Sequence, residues 1–229
     1  AQGNEITIGS KEDWKMFCNR VNRGETNLNV KLTRDVNLET DIVMVGNIIN
    51  MYSGTFDGQG HTLKFNWNAD SRDDIAPFRY MEYAKIYNLR TEGKITANKR
   101  FLSGLVKEAY GIITLSGCVS DVNITTSYGG EDCYAAGMIG VVGSGTWAIL
   151  TDCVVKGKFH ATTEIGRRYM GGFVNNQYGK CTLTNCLYIG ENNATGGNTF
   201  AANATINNCY YLNACGEAQG TPVTAEQLR

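Results

Sequence analysis

One pattern constrains this chain more than any other: an aliphatic residue, two small or polar residues, then a cysteine, written again and again. "LSGC" ends at Cys118, "LTDC" at Cys153, "LTNC" at Cys186 and "INNC" at Cys209, with the cysteines 35, 33 and 23 residues apart. An earlier segment, "IYNL" from Ile86, fits the same frame with Leu89 in the cysteine column. Self-similarity at such a period is the mark of a stacked repeat, and it decides the architecture before any single element does.

The columns around the cysteine carry their own physics. One is always Ile or Leu. Another reads Asn88, Gly117, Asp152, Asn185, Asn208, the residue types that tolerate a left-handed backbone at a bend. Each unit also holds a second apolar strand led by a small residue: "SGLV" at 103–106, "AGMIG" at 136–140, "GGFV" at 171–174 and a degraded "NTFA" at 198–201, with "APFRY" at 76–80 as a forerunner. A unit of two or three strands without a helix cannot bury its own faces. Stacking such units about 4.8 Å apart encloses one continuous interior. The expected fold is therefore all-β, a right-handed parallel β-helix. A leucine-rich repeat would need a nearly fixed spacing of about 20–29 residues, which these units do not keep.

In that fold Cys118, Cys153, Cys186 and Cys209 form a ladder inside the tube. Their Cβ vectors point the same way, which suits packed thiols better than disulfides. Cys18, Cys133, Cys181 and Cys215 lie outside the column, and their pairing stays open. The front of the chain differs: "SKEDWKMFCNRVNRG" (10–24) has Ser10 and Asp13 at capping-box spacing, Trp14, Phe17 and Val21 on one helical face, and Gly24 as a stop. A short α-helix covering the N-terminal end is expected there.

Charge excludes some functions. The 21 Lys and Arg residues against 22 Asp and Glu leave a net charge of −1, so no electrostatic footprint for nucleic acid exists. No apolar run reaches the roughly 20 residues of a membrane span. With 27 glycines and only 2 prolines, the chain is rich in tight turns rather than linkers.

The "SGLV", "AGMIG" and "GGFV" strands resemble the GLUG motif, and the cysteine column resembles the strand that follows it. "ITIGSKEDWKMF", "GTFDGQGHTLKF" and the closing "NCYYLNACGEAQGTPVTAEQLR" are similar to cell-surface β-helix proteins of gut bacteria, so that the resemblance covers nearly the whole chain. It implies one domain over residues 1–229: a capping helix at 10–24, first coils at 30–65, GLUG-like repeats at 76–213 and an exit segment at 214–229. It also implies a secreted or cell-surface chain, adhesin-like, whose signal peptide has been removed and which is a piece of a longer protein.

Catalytic constellations are not conspicuous. Acidic residues gather at Asp70, Asp73 and Asp74 and at Glu131 and Asp132, which read as solvated loop tips. His61 and His160 stand apart, without the companions a metal site requires. The expectation is a non-enzyme with no cofactor and no metal, a monomeric module recognising a glycan or a surface protein. The alternative is a carbohydrate-active β-helix enzyme, a polysaccharide lyase or glycoside hydrolase with a divergent pair of carboxylates. Because units stack in register, the long loops 66–77, 96–103, 125–136 and 160–170 should form one ridge. Its expected ligand-binding residues are Trp67, Arg100, Tyr128, Tyr134, Arg167, Arg168 and Tyr169, with Arg72 and Lys99 beside them; aromatic faces among polar groups suit sugars and proteins alike. The opposite turns, with Tyr110, Trp147 and Tyr178, are the competing site.

Overall fold

The computed structural model describes residues 4–69, 74–131 and 134–229. Asp70, Arg72, Asp73, Asp132 and Cys133 lie outside them. The structure is predominantly β, every strand pairing is parallel, and the strands fall into four sheets. Sheet I contains Glu5–Ile8, Asn29–Leu32, Thr55–Asp57, Lys85–Tyr87, Ile112–Ser116, Trp147–Thr151, Lys180–Thr184 and Thr205–Asn207. Sheet II is built mainly on the long strands Thr62–Ala69, Arg90–Ala97 and Val119–Thr126, which are continued by Val154–Val155, Phe159–Ala161, Leu187–Tyr188 and Tyr210–Tyr211. Sheet III runs Asp74–Ile75, Phe101–Ser103, Tyr134–Ala136, Met170–Gly171, Gly197–Asn198, and sheet IV runs Phe78–Glu82, Val106–Tyr110, Ile139–Val142, Val174–Gln177.

From Thr55 to Asn198 the chain visits sheets I, II, III and IV in turn and then returns to I. Each strand therefore pairs with its counterpart one circuit away. The aliphatic column becomes a register line, Ile86 to Leu115 to Leu150 to Leu183 to Ile206. At the bend from sheet I to sheet II, Asn88, Gly117, Asp152, Asn185 and Asn208 all take positive φ, between 50° and 66°. Short polar side chains and glycine reach that conformation at least cost. At the corner from sheet III to sheet IV, Gly137 has no room for a side chain: a Cβ there would lie 2.4 Å from the Gly172 carbonyl oxygen and 2.6 Å from Val155. The small residue leading each second strand is thus a packing requirement of neighbouring circuits.

The N-terminal helix, α1, spans Lys11–Asn22. Its cap is reciprocal: Asp13 N–H donates to Ser10 Oγ, and Gly9 N–H donates to Asp13 Oδ2. The buried face carries Trp14, Phe17, Cys18 and Val21. Trp14 packs edge-on against Phe56 and Phe78, and Phe17 against Tyr52, so an aromatic cluster fills the first circuit from below. Trp14 Nε1 donates to the Val43 carbonyl at 2.9 Å, which satisfies the indole inside an apolar setting. A second helix, α2 (Glu164–Arg168), occupies a segment that the sequence reads as loop. Thr163 caps it, accepting from Gly166 N–H.

Seven cysteines are described, all buried and none in a disulfide. The Cys118, Cys153, Cys186 and Cys209 thiols donate to the carbonyls of Ile86, Leu115, Leu150 and Leu183 on the adjacent circuit. The hydrogen bond that the Cys186 thiol gives to its neighbour Cys153, together with burial, pushes Cys186 up to about 12. Burial alone does the same for Cys181, also to about 12.

Two predictions follow from this packing. Replacing Asn185 by Ala puts a Cβ without polar compensation into the left-handed region and should cost about 1–2 kcal/mol, whereas Asn185→Gly should be near neutral; paired denaturation midpoints decide. The second concerns pH. Thiols held protonated in the fold favour it fully below the ordinary cysteine pKa of about 8.5, and that contribution fades as pH rises above it. Melting temperature should therefore fall from pH 8 to pH 10, and native thiols should resist alkylation at pH 8 until denaturant is added.

Candidate functional site

The loops between sheets II and III do leave from one line. Ala69, Ala97, Thr126 and Ala161 are register partners at the ends of their strands. The side chains along that line are less available than their residue types suggest. Trp67 is a correction: it is fully buried, stacked on Phe65 at 4.2 Å, and its Nε1 donates to the Asp41 carbonyl at 2.9 Å. In an eight-residue strand it falls on the inward parity, with Leu63, Phe65 and Ala69, so it packs the interior and not the ridge surface. Arg100 is exposed and lies 4.9 Å over the Phe101 ring. Arg168 pairs with Glu164 at 2.7 Å within α2, beside a half-buried Arg167. Tyr128 is half-buried, and its carbonyl accepts from Thr163 Oγ1. Tyr169 is exposed, with its carbonyl held by Asn175 Nδ2. Tyr134 opens a strand of sheet III, and its side chain lies outside the described residues.

The opposite corner, where sheet IV turns back into sheet I, presents a different surface. Tyr83 is 66 % exposed, Ile112 50 %, Trp147 39 % and Tyr178 67 %. These residues occupy the same turn in successive circuits. Ile112, Trp147 and Lys180 are register partners, and the Tyr83 ring lies on Gly111, one residue before Ile112. Trp147 is held in one orientation: Nε1 donates to Thr182 Oγ1 at 3.0 Å, and the Lys180 ammonium sits 4.8 Å from the ring. Tyr83 is stranger. Its φ is 50°, while Gly111 takes the equivalent corner one circuit on with φ 75°. A bulky side chain in that region is costly, where glycine is free.

Beside this row, the outer face of sheet I carries hydroxyls in register: Thr114 next to Ile149, Thr182 and Thr205, and Ser116 next to Thr151, Thr184 and Asn207. The face ends in an open groove of about 740 Å³ lined by Glu5, Asn29, Lys31, Thr55, Asp57 and Tyr87, among others. Exposed aromatics bordering a flat hydroxyl-bearing face are able to stack on sugar rings and hydrogen-bond their hydroxyls.

Two carboxylates do converge elsewhere. Asp74, read from sequence as part of a loop tip, opens a strand of sheet III. Its Oδ2 lies 3.9 Å from Lys107 Nζ, and Glu108 Oε1 lies 3.1 Å from the same nitrogen. Lys107 is only 4 % exposed, so the pair meets around a buried ammonium and not in an open groove. Sequence reasoning missed it because Lys107 sits in an apolar strand, without a periodic signal. His61 Nδ1 lies 3.4 Å from Asp35, and His160 is exposed. Among the described residues no group of three or more His, Cys, Asp or Glu is placed to hold a metal ion, and no helix is long and apolar enough to cross a membrane.

A core role and a ligand role for Trp67 give opposite outcomes. Trp67→Ala should destabilise the chain by about 3–5 kcal/mol, read by chemical denaturation; a near-neutral result would return it to the surface.

No protein-family model matches the chain, and no curated protein matches it. A solved structure does, that of a proposed immunoglobulin A1 protease from Bacteroides ovatus. The alignment covers 100 % of this chain and 86 % of that one, with a TM-score of 0.63 and 14 % sequence identity. Similarity at that identity is similarity of fold: the two chains share an all-β architecture of parallel sheets.

Proposed function

We propose that the chain is a single right-handed parallel β-helix of the GLUG-motif type, working as a non-catalytic recognition module at a cell surface, with a glycan as its ligand. Three features support the fold reading. Strands succeed one another through four sheets in cyclic order, parallel crossovers are right-handed in the great majority of cases, and the glycine-led strands turn a corner that a Cβ would block. The ligand is seated at the turn from sheet IV to sheet I and on the adjoining face of sheet I, not on the loop ridge. The observation that carries this is the row of exposed Tyr83, Ile112, Trp147 and Tyr178 at one corner of consecutive circuits. Single exposed apolar side chains are ordinary on any protein; a contiguous set marks an interaction site. Backbones of adjacent circuits lie about 4.8 Å apart, so the row advances one step per circuit, a track suited to an extended polymer.

The carbohydrate-active enzyme reading is less well supported. Its two carboxylates would have to reach a glycosidic bond, and Asp74 and Glu108 instead neutralise a buried lysine.

The test is a glycan array, followed by affinity measurement on the best ligand. The double variant Trp147→Ala/Tyr178→Ala should weaken binding at least tenfold with little change in melting temperature, while Tyr128→Ala/Tyr169→Ala should leave it intact. Tyr83→Gly is sharper still, because it should weaken binding while holding or raising stability through relief of left-handed strain. Unchanged affinity in both corner variants overturns the site. Release of reducing sugar, or cleavage of immunoglobulin A1 by the pure chain, overturns the non-catalytic reading.

A further inference from the structure

We propose that Lys107 and Asp74 form an intramolecular isopeptide bond, with Glu108 as the proton carrier. The starting geometry is an ammonium enclosed by reactive and shielding groups. Nζ lies 3.9 Å from Asp74 Oδ2 and 3.1 Å from Glu108 Oε1. The Tyr80 and Phe101 rings flank it at 4.4 and 4.8 Å, and the Tyr80 hydroxyl accepts from it at 3.1 Å. Burial keeps a polymeric substrate out but does not hinder a reaction between two side chains already inside. The two side chains are already in ion-pair contact, and intramolecular reactions between well-positioned groups reach effective molarities of about 10⁵–10⁸ M.

The step balances without any outside reagent. Glu108 takes a proton from Lys107 Nζ, and the freed lone pair attacks Asp74 Cγ to form the C–N bond. Arg79 Nε, 4.0 Å from Asp74 Oδ2, is the cation placed to take up charge on the tetrahedral intermediate. The C–O bond to one carboxyl oxygen breaks, that oxygen collects two of the ammonium's three protons by way of Glu108 and leaves as water, and the third proton stays as the amide N–H. An ammonium and a carboxylate become one amide and one water, and nothing is oxidised or reduced. Glu108 is itself held for this role: the Tyr110 hydroxyl donates to its other oxygen at 2.6 Å, which leaves Oε1 turned to Nζ.

The position in the fold gives the bond a purpose. Among the described residues Asp74–Ile75 is the edge strand of sheet III and pairs with Phe101–Ser103 through two residues. A covalent tie from this edge to Val106–Tyr110 in sheet IV would fasten a short edge strand to the next circuit, a closure that limits the unfolded chain as a disulfide does.

Intact mass spectrometry of the purified full chain under denaturing conditions tests the proposal. The expected mass is lower than the sequence mass by one water, with the loss mapping to a branched peptide joining Asp74 to Lys107. Lys107→Arg and Asp74→Ala should show their full sequence masses, as should the near-isosteric Glu108→Gln. Asp74→Asn should lose ammonia in place of water, since the leaving group changes and the bond does not. A wild-type chain at its full sequence mass overturns the bond, whatever the variants do. Water loss that maps instead to the Asp57–Gly58 turn, where a cyclic imide would have the same mass, overturns it as well. A linked Glu108→Gln variant would refute the role given to Glu108.

Discussion

Parallel pairing between successive circuits is the constraint on which everything else in this molecule depends. A strand in any of the four sheets finds its strand partners on the circuit before or the circuit after, so its ladder hydrogen bonds are made to distant parts of the chain, 23 residues away at Thr182 and Thr205 and 35 at Ile112 and Trp147. That fixes the register, and the register stacks like on like. The aliphatic line from Ile86 to Ile206, the thiol line from Cys118 to Cys209 and the left-handed line from Asn88 to Asn208 are three consequences of one geometry. It also explains why the glycine of the second strand is so restricted: neighbouring backbones at that corner approach to a distance no Cβ fits.

The same regularity leaves ends that must be closed. At the N-terminal side α1 supplies an apolar face, and the contacts of Trp14 and Phe17 with Tyr52, Phe56 and Phe78 continue the interior beyond the last strand. Unpaired strand edges invite association, and an amphipathic helix with a reciprocal cap is an economical cover. Inside, the buried apolar residues form one continuous cluster from Ile8 to Cys215, in keeping with a solenoid in which each unit leans on its neighbours.

Function, by contrast, has to be mounted where register imposes nothing inward. Two corners qualify. The corner between sheets II and III carries the longer insertions, yet their polar side chains are engaged locally, as with Arg168 and Glu164. Short turns at the corner between sheets IV and I hold side chains outward with little freedom. The Trp147 ring is fixed by Thr182, and Tyr83 keeps a conformation that a glycine would occupy more easily. Backbone strain retained at an exposed aromatic is a local conflict between residue type and conformation, and it is one ground for the site proposed at this corner.

The sequence by itself determined the repeat, the parallel all-β class, the capped helix and the bend residues. Each of these rests on local chemistry: a spacing, a capping pair, a residue type suited to positive φ. It did not determine which aromatics face water. Trp67 and Trp147 both sit in strands of alternating character, and only the parity set by pairing sends one into the core and the other to the surface. Nor did it show the meeting of Asp74 with Lys107 and Glu108, because residues on different sheets are brought together by the circuit length and by nothing in their immediate neighbourhood. Contacts within a column could be read from spacing; contacts across the corners existed only once the chain had closed on itself.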